Sequence, residues 1–130
     1  MKFLLDTHAV IWYIQGDKKL SFNALNIIKK PENKIFFSIV TLWEIIIKIN
    51  IKKLQLNNDF NVFRSYIEKL NFMKLDLDEK YFNAYLNLLI EVKHRDPFDR
   101  MLIAQAITEN IPIISADEKF DLYPEIERIW

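Results

Sequence analysis

KFLLDTHAVIW, residues 2–12, places a short apolar run directly before an acid and then a helical pattern. The run at residues 2–5 is apolar after its first residue and too short for a helix, so it predicts a buried strand. Asp6 follows at the end of that strand. Apolar residues at 9–14 then predict a helix that ends near Gly16. Strand, acid and helix in immediate succession indicate the first unit of an alternating α/β pattern.

The same alternation continues along the chain, with continuously apolar strand runs that are typical of a sheet covered on both faces. Further strands are predicted at residues 34–38, 72–75 and 111–115. Further helices are predicted at residues 20–30, 41–51, 58–70 and 78–92, and over PFDRMLIAQAITEN from Pro97. The helix at 41–51 is apolar almost all round, which predicts burial. We expect one α/β domain over residues 1–130, with a mostly parallel sheet and helices on both faces.

The composition excludes several classes of enzyme. The chain has no Cys, one Gly and two His in 130 residues. These counts exclude cysteine nucleophiles, glycine-rich phosphate loops and a three-histidine zinc site, and no GxSxG motif is present. If the protein is an enzyme, carboxylates are the reagents that remain. Lys+Arg and Asp+Glu number 18 each, so nucleic acid would have to bind at a local basic patch.

The sequence also predicts a cytoplasmic protein that has no membrane partner. The first apolar run reaches Asp6 too early for a signal peptide. The longest apolar stretches are interrupted by Glu44 and Lys48, far short of a membrane span. The absence of cysteine suits a reducing compartment.

Two acids follow predicted parallel strands. Asp6 comes directly after residues 2–5, and Asp117 follows the run at 111–115. In open α/β sheets the ligand crevice lies at the carboxyl ends of the strands, so both carboxylates are expected at one crevice. Helix capping is the alternative for each, because Asp is a preferred N-cap residue.

Three further acids lie in or before predicted helices. Glu44 lies among apolar residues, where an unpartnered carboxylate costs several kcal/mol, and an ion pair with Lys48 is the alternative to a site. Asp96 and Asp99 bracket the start of the late helix, where they suit an N-cap and its N3 partner. Asp99 also begins the inward series at helical spacing, so we expect it to face the sheet.

Convergence of Asp6, Glu44, Asp99 and Asp117 would require a cation. At separations of ~6 Å and an effective dielectric of ~20, each pair of carboxylates repels by about 3 kcal/mol. Several such pairs rival the stability of a whole domain, so carboxylates must be protonated or a cation must lie among them. Oxygen ligands favour Mg²⁺, with Mn²⁺ also possible. Such an ion supports phosphodiester hydrolysis by activating water.

Together with the sequence motifs around them, these acids make the chain resemble the PIN-domain family, and within it the VapC-type toxins of bacterial toxin–antitoxin pairs. The resemblance rests on LLDTHAVIW at 4–12, SIVTLWEIIIKI at 38–49, HRDPFDRMLIAQA at 94–106 and IPIISADEKFDLY at 111–123. These four motifs occur in order over nearly the whole chain. The resemblance implies a PIN-like three-layer sandwich and a Mg²⁺-dependent endoribonuclease. It also implies a cognate antitoxin and a homodimer.

The resemblance matches the four acids to the catalytic and metal-binding positions of the family. Asp6 and Asp99 are expected to ligate the metal directly, and Glu44 and Asp117 to complete its shell or to orient the attacking water. The accessory or second-shell positions are Asp96, Thr7 and Ser115. The residues expected to contact RNA are Lys48, Arg95 and Arg100, for which solvated surface cations are the alternative. His94 is expected to cap or pack.

Other functions remain open at this point. The same acids would serve a metal-dependent nuclease outside toxin–antitoxin systems. A non-catalytic PIN-like module would bind RNA or a protein without cleaving it, although four intact acids argue against it. A haloacid-dehalogenase-like phosphatase would need a second Asp where this chain has His8. On an unrelated α/β domain the acids would be only caps and surface pairs.

Overall fold

The five strands form one parallel sheet in a computed structural model that describes residues 1–90 and 93–130. The strands are β1 (Lys2–Leu5), β2 (Lys34–Ser38), β3 (Met73–Leu75), β4 (Ile113–Ile114) and β5 (Arg128–Ile129), and their order in the sheet is β3-β2-β1-β4-β5. β1 is central and pairs with β2 on one side and β4 on the other. Every pairing is parallel, so the carboxyl ends of β1 and β4 open onto the same edge.

Helices cover both faces of the sheet, as predicted. They are α1 (Thr7–Gln15), α2 (Phe22–Lys29), α3 (Ile39–Asn50), α4 (Phe60–Lys69), α5 (Phe82–Leu86) and α6 (Pro97–Glu109), with 3-10 turns at Glu79–Tyr81 and Glu118–Leu122. Successive side chains of a strand point to opposite faces. Phe3 and Leu5 therefore pack in one core with α1 to α4, whereas Leu4 packs in a second core with α6. The predicted three-layer arrangement, a parallel sheet between two layers of helices, is confirmed.

The predicted long helix over residues 78–92 is wrong. A 3-10 turn at Glu79–Tyr81 leads into the five-residue α5, which ends at Leu86. Leu86, Leu89 and Ile90 are largely exposed while Leu88 is buried, so the apolar residues there do not form one continuous face against α6. The predicted end of the helix, residues 91–92, lies outside the described residues.

Two smaller features also depart from the sequence predictions. α3 is not buried all round, because Trp43 and Ile46 on its outer face are 56% and 46% exposed. β5 was not predicted, since its two residues form no apolar run. The Arg128 guanidinium holds this strand in place by pairing with Asp121 and donating to the carbonyl of Ser115 at 3.1 Å. Among the described residues, no helix combines the length and apolar character needed to cross a bilayer.

Candidate metal and nucleic-acid site

A pocket of about 240 Å³ opens at the carboxyl ends of β1 and β4. All four predicted acids line it: Asp6, Glu44, Asp99 and Asp117. The other lining residues are Thr7, His8, Lys48, Lys93, His94, Arg95, Asp96, Lys119 and Phe120. Ser115 is fully buried and does not line the pocket, and neither does Arg100. The topology thus brings together acids from the ends of two strands and from two helices.

Asp6 is a helix cap and a pocket acid at the same time. One carboxylate oxygen accepts the backbone N–H of Ala9 at 2.7 Å, which caps α1, and the other accepts the hydroxyl of Ser115. Burial raises the pKa of Asp6 from 3.8 to about 6. The two hydrogen bonds oppose this rise, and the charges of Glu44 and Asp117 add to it. The two interpretations weighed for Asp6 are therefore compatible.

Ser115 links the two strand-end acids. Besides donating to Asp6, its hydroxyl oxygen accepts the backbone N–H of Asp117 at 3.0 Å. Asp117 in turn accepts the backbone N–H of Lys119 at 2.9 Å and so begins the 3-10 turn that follows. A single buried hydroxyl thereby fixes the relative placement of both acids.

Glu44 is buried on the inner side of α3 but is fully partnered. The hydroxyl of Thr7 donates to its Oε1 at 2.7 Å, and Thr7 also contacts the hydroxyl of Thr41 at 3.2 Å. The ammonium of Lys48 lies 2.6 Å from Oε2. The predicted ion pair at i+4 is thus present, and both of its members line the pocket. The pocket wall thus carries a close ion pair in which the carboxylate is buried and the lysine is about one-third exposed.

The amino-terminal turn of α6 separates the roles of its two acids. Asp96 caps the helix, because its Oδ1 accepts the backbone N–H groups of Phe98 at 2.8 Å and Asp99 at 3.2 Å. The Asp99 side chain is 21% exposed and faces the pocket. Burial raises the pKa of Asp99 to about 6, the hydrogen bond from His94 opposes the rise, and the charges of Asp96 and Glu44 add to it.

Three side chains that carry possible metal-ligand atoms lie close together in the pocket. A nitrogen of His94 and carboxylate oxygens of Asp99 and Asp117 all lie within 4.8 Å of one another. Burial is the main cause of the raised pKa values of Asp6 and Asp99, and repulsion from neighbouring carboxylates adds to the rise. A divalent cation would relieve that repulsion. The donor set is mostly carboxylate oxygen, which suits a hard cation. The residues present therefore fit a divalent metal ion.

The sequence model of the PIN domain family matches residues 3–126, which is almost the whole chain. The chain belongs to the PIN domain family. No curated protein matches it in sequence. The family assignment agrees with the resemblance that the four sequence motifs indicated.

Solved structures similar to this PIN domain are toxin–antitoxin assemblies. VapBC2 from Rickettsia felis, bound to a DNA fragment from its promoter, has a TM-score of 0.73 at 20% identity over 99% of this chain and 98% of that chain. DNA-bound VapBC from Salmonella typhimurium has a TM-score of 0.70 at 19% identity over 99% and 97%. VapBC-5 from Mycobacterium tuberculosis has a TM-score of 0.64 at 19% identity over 98% and 97%. At these identities the likeness shows a shared fold.

The PIN domain also brings basic side chains to the acidic pocket. Lys48 and Arg95, two of the residues predicted to contact RNA, line it. Arg100 does not, because its guanidinium donates to the Leu89 carbonyl and to the Tyr123 hydroxyl, each at 2.9 Å. Lys119, which the sequence did not single out, lines the pocket in the turn after Asp117.

Proposed function

We propose that this PIN domain is a metal-dependent endoribonuclease and the toxin of a toxin–antitoxin pair. The observation that supports this best is the convergence of Asp6, Glu44, Asp99 and Asp117 on one pocket at the carboxyl edge of the sheet. Four carboxylates in one pocket repel one another, and a bound cation would relieve that repulsion. The membership in the PIN family and the toxin–antitoxin structures of similar fold support the same function.

In this proposal Asp6 and Asp99 ligate Mg²⁺, or Mn²⁺ in its place. Glu44 and Asp117 complete the shell or orient the attacking water by accepting its hydrogen bonds. The bound ion would polarise the phosphoryl oxygens and lower the pKa of water. Thr7 and Ser115 hold Glu44 and Asp6 in place through their hydroxyls.

The partners proposed are RNA, an antitoxin and a second copy of the chain. Lys48 and Arg95 line the pocket beside the acids, where phosphate contacts would hold an RNA strand across the metal site. The antitoxin is proposed because the structures of similar fold are VapBC complexes. The homodimer rests on the family resemblance.

Cleavage of purified RNA tests the proposal. We expect discrete fragments from total RNA with Mg²⁺ or Mn²⁺, and none with EDTA. Asp99→Asn keeps the shape of the side chain but removes its charge. Substituting a residue that only hydrogen-bonds to a metal ligand costs about 10- to 100-fold, so loss of a ligand should lower cleavage by about 100-fold or more. Asp59→Asn, an exposed cap of α4 away from the pocket, is the matched control and should cleave normally.

The alternatives give different results in the same assay. Cleavage that persists in EDTA or in Asp99→Asn contradicts the metal site. Tight RNA binding without cleavage, with either metal, indicates the non-catalytic module. RNA cleavage by the purified enzyme without growth arrest on induced expression in bacteria indicates a nuclease that is not a toxin.

A further inference from the structure

A line of four side chains runs from the outer part of α6 back into the pocket. Arg100 donates to the hydroxyl of Tyr123 at 2.9 Å, and that hydroxyl lies 2.8 Å from Nδ1 of His94. The other ring nitrogen of His94, Nε2, lies 3.1 Å from Oδ2 of Asp99. His94 and Tyr123 are each only 2% exposed, so the contact between them is shielded from water.

The chemistry of the partners fixes the proton positions on the imidazole. An ionised carboxylate only accepts hydrogen bonds, so the contact with Asp99 requires a proton on Nε2 of His94. In the neutral ring Nδ1 then has no proton and accepts the hydroxyl of Tyr123. Arg100, which only donates, bonds to the lone pair of the Tyr123 oxygen. Each contact is thus satisfied by one tautomer.

Packing holds the imidazole in this orientation. The ring of His94 lies 5.4 Å from that of Tyr123 and 5.7 Å from that of Phe120, measured between centroids. Since both of its nitrogens have partners within the protein, His94 is not free to ligate a cation without losing Asp99. Asp99 accepts one bond from His94 and keeps lone pairs for a metal.

We propose that His94 is a positioning residue that holds the Asp99 carboxylate toward the metal, and that Tyr123 and Arg100 hold His94 in its Nε2–H tautomer. This inference rests on the proposed role of Asp99 as a metal ligand. Partners that orient metal ligands through hydrogen bonds are a general feature of metal sites, and their loss typically weakens metal binding by about 10- to 100-fold.

Tyr123→Phe tests this with little change in shape, because the ring is kept and only the hydroxyl is removed. We expect Mg²⁺ or Mn²⁺ affinity, measured by calorimetry, to fall by about tenfold. Tyr81→Phe is the matched control: Tyr81 is also buried, its hydroxyl donates to Glu109 at 2.8 Å, and it does not line the pocket. Tyr123→Phe loses the contacts of its hydroxyl with His94 and Arg100, and Tyr81→Phe loses its bond to Glu109, but only Tyr123→Phe should affect metal binding.

A second test is to determine the tautomer of His94 directly, by long-range ¹⁵N–¹H NMR spectroscopy of the metal-free protein. The chain has only two histidines, and His8 is exposed, so the signals of His94 are identified with a His8→Asn variant. We expect the Nε2–H form in the native protein, its persistence when metal is added, and a mixture of tautomers in Tyr123→Phe. Loss of the Nε2–H form on adding metal would make His94 a ligand and overturn the inference.

Calorimetry separates failure of this inference from failure of the proposed function. If the native protein and Tyr123→Phe bind the metal equally well, the inference is wrong and the proposed metal site stands. If the native protein binds neither metal, both are wrong.

Discussion

At the scale of single residues, Asp6 has to serve the fold and the pocket with one carboxylate. It caps α1 through the Ala9 N–H and accepts the Ser115 hydroxyl, yet it is only 5% exposed and lies among other acids. An amide at this position would keep the cap, because its carbonyl oxygen still accepts the N–H. It would not carry the buried charge. Asp6→Asn therefore separates the two roles.

The raised pKa of Asp6 predicts that pH affects the stability of the metal-free protein. The pKa of Asp6 is about 6 in the folded protein, whereas its ordinary value is 3.8. Between these two pH values the folded state therefore binds more protons than the unfolded state. The free energy of unfolding then falls as pH rises from about 4 to about 7, by up to about 3 kcal/mol from this residue. Asp6→Asn should flatten the fall, measured by urea unfolding in EDTA. Asp59→Asn, which alters an exposed cap, should keep the native slope; an equal slope in all three proteins contradicts the prediction.

At the scale of elements, the start of α6 places a cap next to a pocket acid. Asp96 accepts two backbone N–H groups, and one of them belongs to Asp99, whose side chain faces the pocket. Negative charge is favoured at a helix amino terminus, so the helix dipole offsets part of the repulsion between the two carboxylates. The same turn thus stabilises the helix and presents an acid.

Asp96→Ala should lower the free energy of unfolding by about 1 kcal/mol, the usual loss when a cap is removed. Asp96→Asn should recover most of that loss, because an amide oxygen caps nearly as well. Both are measured by chemical denaturation in EDTA. A loss as large in Asp96→Asn as in Asp96→Ala would mean that the charge, and not the cap, stabilises this turn.

What the sequence predicts at this scale depends on local pattern. The placement of Asp6 and Asp117 at one edge follows from parallel strands, because the carboxyl ends of such strands meet. The contact between His94 and Tyr123 does not follow, since 29 residues separate them and no spacing rule joins them. The helix predicted over 78–92 is also wrong, because α5 ends at Leu86 and the apolar residues Leu89 and Ile90 beyond it are exposed.

At the scale of the whole molecule, charge is balanced, and the pocket itself combines acidic and basic side chains. Lys+Arg and Asp+Glu number 18 each, so no net field draws RNA to the protein. Basic side chains do lie beside the acids: the pocket is lined by Lys48, Lys93, Arg95 and Lys119. If RNA binds, the salt dependence of its affinity reports how many of these cations meet phosphates, independently of cleavage.

For single-stranded nucleic acid, a plot of log affinity against log salt concentration has a slope of about −0.7 for each phosphate that the protein neutralises. Four pocket cations therefore predict a slope no steeper than about −3 for a single-stranded RNA oligonucleotide with Asp6→Asn, which we expect to bind without cutting. Adding Arg95→Ala to the Asp6→Asn protein should make the slope shallower by about 0.7, measured by fluorescence anisotropy over a salt series. Adding Lys53→Ala instead, at a separate cavity beside Leu54, should leave it unchanged. A much steeper slope, or equal effects of the two substitutions, would mean that RNA lies on a surface other than the acidic pocket.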